Sequence, residues 1–261
     1  MTDPNDVYDA LTKALNALNA KIDAIGQNQS KILDILMQKI NAMPGEVYIS
    51  AYEKHKIRDD VGQYIETIPH FSTTAACIPG GKGARLLLLS NVIEWARPAP
   101  GDIILEFGVW RGESLSLLSQ KTNAKVYGFD SFTGMPQDEH FYKKGQFNNP
   151  DGVVYPLRDN AELVKGWFED TIPPFMEQHD VSKAKIVHID CDIYSSTVQI
   201  LQIADKLKPG TFIVFDEYWN WPGWRDGEFK AWHEYIERSG RTYEYAGYID
   251  GYQQVAIKLL T

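Results

Sequence analysis

Cysteine is scarce in this chain, with only Cys77 and Cys191 among 261 residues. Two cysteines exclude a disulfide-stapled framework and favour a reducing compartment. Long apolar runs are also missing, since no stretch approaches the roughly 20 residues of a membrane span. The acidic start, MTDPNDVYD, lacks the apolar core of a signal peptide. We therefore expect a cytoplasmic protein with no membrane partner.

Positive charge is the minority charge of the sequence. Lys and Arg number 26 against 35 Asp and Glu, so the formal net charge is −9 and the pI is about 5.2. This balance argues against a broad nucleic-acid-binding face, and nucleic acid is not an expected partner. The hydrophobic fraction of 44% is that of an ordinary globular protein and excludes general disorder.

Residues 1–43 are predicted to form one helix with a narrow apolar seam. Its residues are Leu11, Leu15, Leu18, Ile22, Ile25, Ile32 and Leu36, with Gln29 filling the gap. The steps alternate between four and three, which is a heptad pattern. A lone helix cannot bury such a seam, so we expect a homo-oligomer formed through it. The alternative is a helix that packs on its own globular domain, and the number of strands in a coiled coil stays open.

The rest of the chain divides into two parts. Residues 44–100 are predicted to form a helical cap or linker region, and residues 101–261 alternate strands with helices. This alternation predicts an α/β fold with a mostly parallel, Rossmann-like sheet. Two final strands with no helix between them predict an antiparallel hairpin at the sheet edge. The polar stretch from Ser131 to Pro156 has no clear period and is interpreted as a lid or substrate loop.

A glycine bend stands between the first strand of residues 101–261 and the helix after it, in Glu106-Phe-Gly-Val-Trp-Arg-Gly112. Gly108 and Gly112 permit a tight turn beside a helix N-terminus, which favours an anionic group. The phosphate-binding patterns G-x-G-x-x-G and G-x-x-x-x-G-K-[ST] are absent, which disfavours NAD(P) and nucleoside triphosphates. Asp130 ends the next strand, where an acidic side chain can accept ribose hydroxyls. The bend therefore indicates a nucleoside site, although a purely structural turn stays open.

Carboxylates end two later strands: Asp190 and Asp192 follow one, and Asp216 and Glu217 follow the other. If these strands are neighbours, the acids converge beside the nucleoside site, because ligands bind at the carboxyl ends of parallel strands. Crowded carboxylates need a cation, and oxygen-only ligation suits Mg²⁺ or another divalent cation. Alternatively, Asp192 and Glu217 cap helices or face solvent.

Aromatic residues crowd the segment after the second acidic strand. Tyr218, Trp219, Trp221 and Trp224 are interpreted as a substrate-binding wall. His140, in the predicted lid, is a candidate proton acceptor. His188 is expected to be a core histidine.

Five motifs carry a family resemblance. They are Glu106-FGVWRGES, Asp130-SFTGMP, Gly166-WFEDTIP, His188-IDCDIYSST and Leu207-KPGTFIVFDEY. In this order the motifs resemble the macrocin O-methyltransferase family, a group of S-adenosylmethionine-dependent sugar O-methyltransferases of antibiotic pathways. The resemblance runs from about Arg85 to the C-terminus and implies a class I methyltransferase fold, S-adenosylmethionine and Mg²⁺ as cofactors, and a small-molecule, glycosylated acceptor.

The resemblance also implies roles for single residues. The methyl donor would be bound by Glu106, Gly108, Gly112, Asp130, Ser131, Trp167, Phe168 and Asp190. The pair Asp190 and Asp192, with Asp216, would match the metal and catalytic carboxylates. Because methyl transfer needs an oriented hydroxyl and a proton acceptor, our own hypothesis is that Asp190, Asp216 and Glu217 hold the metal while Asp192 ligates it or acts as the base. The roles of Asp190 and Asp192 could be exchanged. Glu217 stands where the family usually has a second Asp, so its role is open.

Two alternatives to a sugar O-methyltransferase stay open. A catechol or phenol acceptor would also bind a cation through adjacent hydroxyls. A non-catalytic coiled-coil assembly protein could bind a nucleoside without turnover.

Overall fold

The structure is a computed structural model, and it describes residues 75–139, 142–221, 223–249 and 252–261. The predicted heptad helix of residues 1–43, most of the cap region and His140 lie outside the described residues. These predictions are therefore not tested.

Eight strands form one sheet in the described part of the chain. They are β1 (Ala76–Ile78), β2 (Ile103–Phe107), β3 (Lys125–Asp130), β4 (Ala161–Lys165), β5 (Ala184–Ile189), β6 (Phe212–Phe215), β7 (Tyr243–Ile249) and β8 (Val255–Leu259). Their order is β1-β7-β8-β6-β5-β2-β3-β4. Strand β8 runs antiparallel to its neighbours β6 and β7, and the other pairs are parallel. The predicted mostly parallel α/β fold is confirmed.

Five α-helices accompany the strands within the described ranges. They are α1 (Ala84–Ala96), α2 (Glu113–Lys121), α3 (Phe168–Gln178), α4 (Tyr194–Ile200) and α5 (Glu228–Ser239). Glycines in the left-handed conformation stand at the start of α1 and α2 and at the end of α5, namely Gly83, Gly112 and Gly240. Glycine adopts this conformation without the steric cost of a side chain. The glycines in the sequence therefore fix where these three helix ends lie.

Two apolar clusters cover the two faces of the sheet. One contains Leu88, Leu89 and Leu115 from α1 and α2. The other contains Phe175 from α3 and Trp232 from α5. Because both faces are covered, β2 and β6 are buried along their whole length, which explains why β6 is entirely apolar and β2 is apolar except for Glu106.

The C-terminal hairpin of β7 and β8 is present, with the short parallel strand β1 paired outside it. Strands β2, β3, β5 and β6 are paired in parallel, so their carboxyl ends lie at the same edge of the sheet. None of the helices in the described ranges combines the length and the apolar character that a membrane span requires.

Candidate functional site

A cavity of about 1160 Å³ lies at the carboxyl ends of the central parallel strands. Its lining includes the glycine bend after β2, the polar segment after β3 and the acidic residues after β5 and β6. Open parallel sheets bind ligands at this edge. The nucleoside site and the acidic cluster predicted from the sequence are thus parts of one cavity.

The glycine bend packs directly on the end of β5. Gly108 has φ +92°, and a Cβ built on it would stand 1.6 Å from the carbonyl oxygen of Asp190. Its N–H donates to the carbonyl of Phe129 at 2.9 Å. Only glycine lets the backbone after β2 lie this close to the first acidic residue after β5.

Gly112 ends the bend and precedes α2, with φ +85°. A Cβ there would meet Cγ1 of Val153 at 2.5 Å, a residue of the long segment between β3 and β4. The two glycines therefore let the bend pack closely against Asp190 on one side of the cavity and Val153 on the other.

Asp130 lines the cavity and holds the bend in place. Its Oδ2 accepts hydrogen bonds from the N–H groups of Val109 at 2.8 Å and Trp110 at 2.7 Å. Its Oδ1 accepts from the N–H of Phe132 at 2.7 Å. A carboxylate oxygen accepts about two hydrogen bonds, so Oδ1 retains one site for a ligand hydroxyl. The sequence predicted that Asp130 contacts a ligand, but it did not predict these hydrogen bonds to the backbone.

Three further predicted donor-binding residues also line the cavity. Trp167 is an exposed aromatic side chain immediately before α3. Phe168 packs edge-to-face on Phe107, with ring centroids 5.6 Å apart, and so joins the cavity wall to the core. Ser131 forms a 2.9 Å hydrogen bond with Thr133.

Glu106 does not line the cavity. Its side chain is fully buried in β2, and its Oε1 lies 2.9 Å from Nδ1 of His188, its register partner on β5. Nε2 of His188 lies 3.7 Å from Oδ1 of Asp216. Burial alone would lower the pKa of His188, but the carboxylates of Asp216 and Glu106 raise it to about 10. His188 is the core histidine that the sequence predicted, and the protonated ring links two acids.

The four predicted acids, Asp190, Asp192, Asp216 and Glu217, all line the cavity. Strands β5 and β6 are parallel neighbours, so the residues after them meet at one place. Ligand atoms of His188, Asp190 and Asp216 lie within 4.8 Å of one another. The structure thus brings Asp190 and Asp216 close together, and Asp192 and Glu217 line the same cavity.

Arg85, the second residue of α1, enters this cluster. Its Nη1 donates to Oδ2 of Asp190 at 2.7 Å and lies 3.7 Å from Oδ2 of Asp216. Its Nη2 lies 3.5 Å from Oε2 of Glu113, the first residue of α2. Burial would lower the pKa of Arg85, but Asp190 and Asp216 raise it, so the guanidinium stays charged. Arg85 was not predicted as a site residue, because no local sequence pattern places a residue 105 positions away beside Asp190.

The carboxylates of this cluster outnumber its cationic side chains. As a result, the pKa values of three of the acids are raised. Burial, reinforced by the charge of Asp216, raises the pKa of Asp190 to about 7 in spite of Arg85. Burial and the charge of Asp190 raise the pKa of Asp192 to about 8. Burial and the charge of Asp192 also raise the pKa of Glu217. Near neutral pH the cluster therefore retains protons that a further cation could replace.

Asp216 behaves differently from its neighbours. Burial would raise its pKa, but His188 and Arg85 lower it below the usual value. Its Oδ2 also accepts a hydrogen bond from Nε2 of Gln254 at 3.1 Å. Asp216 is therefore an anchored carboxylate, with cationic groups on two sides.

Asp192 has an unusual backbone, with φ +64°. Non-glycine residues rarely adopt this region, and such conformations occur often at functional sites. A hydrogen bond from Tyr142 lowers the pKa of Asp192, against the larger effect of burial. The backbone directs a carboxylate into the cavity next to Asp190.

The aromatic segment after β6 lies elsewhere. Tyr218, Trp219, Trp221 and Trp224 are each at most 4% exposed, belong to the apolar core and are not among the residues that line the cavity. Tyr218 shares a 2.8 Å hydrogen bond with Tyr245. Packing against α5 and β7 buries this segment, so the structure does not place it as a cavity wall.

Other apolar side chains occupy the cavity lining. The exposed ones are Trp110, Phe147, Val154, Tyr155 and Trp167. Most of them lie in the polar segment that the sequence analysis interpreted as a substrate loop. Their positions in sequence gave no periodic signal by which they could have been found.

A comparison with protein families matches residues 153–244 to the macrocin O-methyltransferase family. This stretch contains the motifs that begin at Gly166, His188 and Leu207. The match confirms the resemblance seen in the sequence and the assignment of the chain as an O-methyltransferase. A comparison with curated proteins finds no match.

Solved structures of low sequence identity share the fold. The calicheamicin methyltransferase CalS11 is 18% identical, with a TM-score of 0.55 over 89% of this chain and 90% of that chain. The O-methyltransferase NovP is 21% identical, with a TM-score of 0.54 over 68% of this chain and 80% of that chain. An apo structure of CalS11, described as a TDP-rhamnose 3′-O-methyltransferase, is 19% identical, with a TM-score of 0.50 over 89% and 92%. At these identities the likeness confirms the Rossmann-like fold.

The contact between Gly108 and Asp190 generates a stability prediction. Gly108→Ala should lower the free energy of unfolding by about 3 kcal/mol or more, because the new methyl group overlaps the Asp190 carbonyl and the backbone at φ +92° is strained. Chemical denaturation measures the change.

Gly101→Ala is the matched control. Gly101 has φ +98°, but a Cβ there meets nothing within 4 Å, so only backbone strain of about 1–2 kcal/mol is expected. Equal losses in the two variants would contradict the close approach of the bend to β5.

Proposed function

We propose that this chain belongs to the macrocin O-methyltransferase family, whose model matches residues 153–244. We propose further that it transfers the methyl group of S-adenosylmethionine to a sugar hydroxyl of a glycosylated small molecule, such as a natural product. The observation that carries the proposal is one cavity that is lined by both the glycine bend and the acidic ends of β5 and β6. A methyl donor on the bend and a hydroxyl at the acids would then be neighbours.

The bend supplies the features that a nucleoside with a carboxylate requires. Unpaired N–H groups at the start of α2 favour the carboxylate of the methionine moiety. Asp130 has one remaining acceptor site on Oδ1 for a ribose hydroxyl. The exposed ring of Trp167 offers a face on which adenine can stack.

The acidic residues fit a divalent cation. Oδ1 of Asp216 and Oε2 of Glu217 are buried and have no hydrogen-bond partner among the described residues. Asp190, Asp216 and Glu217 would hold the ion, because they offer carboxylate oxygens from two adjacent strands. When bound, Mg²⁺ or another divalent cation would lower the pKa of a sugar hydroxyl that contacts it.

The remaining chemistry belongs to the side chains of this protein. Methyl transfer needs the acceptor hydroxyl in line with the donor and a group to take its proton. Asp192 is the proposed base, because it lines the cavity beside Asp190 and its backbone is held in an uncommon conformation. The opposite assignment of Asp190 and Asp192 is the alternative within this mechanism.

The acceptor is proposed to contact the exposed apolar residues of the cavity. Trp110, Phe147 and Tyr155 present aromatic surface to the cavity, and such surface suits a sugar ring or an apolar aglycone. CalS11, which shares the fold, is a TDP-rhamnose 3′-O-methyltransferase, and this supports the proposal of a sugar acceptor.

We also propose that the chain self-associates through the heptad seam of residues 1–43. The support is the sequence pattern alone, since a narrow seam needs a partner to bury it.

Release of S-adenosylhomocysteine tests the proposed reaction. With S-adenosylmethionine, MgCl₂ and TDP-rhamnose or simple glycosides, turnover is expected, and EDTA should abolish it until MgCl₂ is restored. Turnover of catechol alone would favour the phenol-type alternative. Absence of donor binding in calorimetry would favour the non-catalytic assembly protein.

Asp192→Asn tests the base. It should lower kcat by about 100-fold or more, the contribution typical of a general base, and leave the affinity for S-adenosylhomocysteine within about threefold. The control is Asp180→Asn, which removes the same charge at an exposed position before β5. Full activity of Asp192→Asn would assign the proton acceptor to another residue.

A further inference from the structure

Arg85 occupies one of the two carboxylate oxygens through which Asp190 could bind the proposed metal. Nη1 of Arg85 is 2.7 Å from Oδ2 of Asp190, which is hydrogen-bond distance. A divalent cation such as Mg²⁺ binds carboxylate oxygen at about 2.1 Å. A guanidinium and a metal ion cannot both occupy the same side of this oxygen, because their charges repel at such short range.

The same guanidinium reaches Asp216, the second residue proposed to bind the metal. Its Nη1 lies 3.7 Å from Oδ2 of Asp216, so the Arg85 side chain bridges the acidic residues after β5 and β6. Without a positive charge there, Asp190 and Asp216 would repel each other across the cavity. In the metal-free protein, Arg85 thus neutralises part of the negative charge that a bound metal would otherwise neutralise.

The carboxylate of Glu113 lies close enough to pair with Arg85 if Arg85 leaves Asp190. Oε2 of Glu113 is 3.5 Å from Nη2 of Arg85, and the Glu113 side chain is 45% exposed. The Arg85 side chain is itself 31% exposed, so it can turn toward Glu113 without crossing the core. Glu113 is the first residue of α2 and also lines the cavity.

We propose that Arg85 is a positioning residue that holds Asp190 and Asp216 together in the metal-free protein and is displaced toward Glu113 when a divalent cation binds. The inference rests on the metal site of the proposed function. It makes Arg85 a built-in competitor of the metal, so metal affinity is set partly by a residue that is not a ligand.

Calorimetric titration with MnCl₂, in the absence of methyl donor, tests this competition. Arg85→Gln should bind Mn²⁺ about tenfold more tightly than the unaltered protein or better, because a positive charge beside the ligand oxygens has been removed. Arg85→Lys keeps the charge and should stay within about threefold. Lys82→Gln removes an equal charge from an exposed position outside the cavity lining and should not change the affinity.

The remaining outcomes are decisive as well. Equal or weaker binding by Arg85→Gln overturns the inference and leaves the metal site intact. If none of the proteins binds Mn²⁺, Arg85 is a permanent substitute for the metal, and both the inference and the metal part of the proposed function fail. If Arg85→Gln unfolds in metal-free buffer, recovery of its thermal transition in MnCl₂ supports the inference, and failure to recover overturns it.

Discussion

The excess of carboxylates over cations at the ends of β5 and β6 constrains the whole site. Six acids surround these ends: Glu106, Asp190, Asp192, Asp216, Glu217 and Glu228. Arg85 and the protonated His188 face them. Charges buried together are costly unless paired, so the fold must add protons or a cation. A site that needs positive charge in this way fits a reaction that turns a neutral hydroxyl into an oxyanion-like nucleophile.

Strand pairing and buried hydrogen bonds position this acidic cluster. Strand pairing of β5 with β6 brings the acids together, and pairing of β2 with β5 brings the glycine bend against Asp190. Glu106 fixes His188 from below, and Glu228 accepts a 2.9 Å hydrogen bond from the N–H of Glu217. The glycine bend and the acidic residues are therefore positioned by pairings of the same strand, β5.

Much of this arrangement could be predicted from the sequence. Apolar runs that end in acids, such as the one before Asp190, are local signals of buried parallel strands and of their ligand-binding ends. The glycine bend was equally readable, because Gly108 stands between a strand and a helix. Residue types and their spacing along the chain sufficed for both.

Other features depend on packing between distant segments and had no local signal. Arg85 reads as an ordinary helix residue, and only the contact of α1 with the sheet brings it to Asp190. Trp221 and its neighbours read as a binding wall, but packing against α5 and β7 buries them. Short strand β1 was hidden in a mixed segment, because three residues are too few for a pattern.

Anomalous diffraction from crystals soaked in MnCl₂ and S-adenosylhomocysteine would locate the metal and the methyl donor together. A manganese peak is expected among the carboxylates of Asp190, Asp216 and Glu217, with S-adenosylhomocysteine bound at the glycine bend. A peak elsewhere, or none with Arg85 still bound to Asp190, would contradict this expectation.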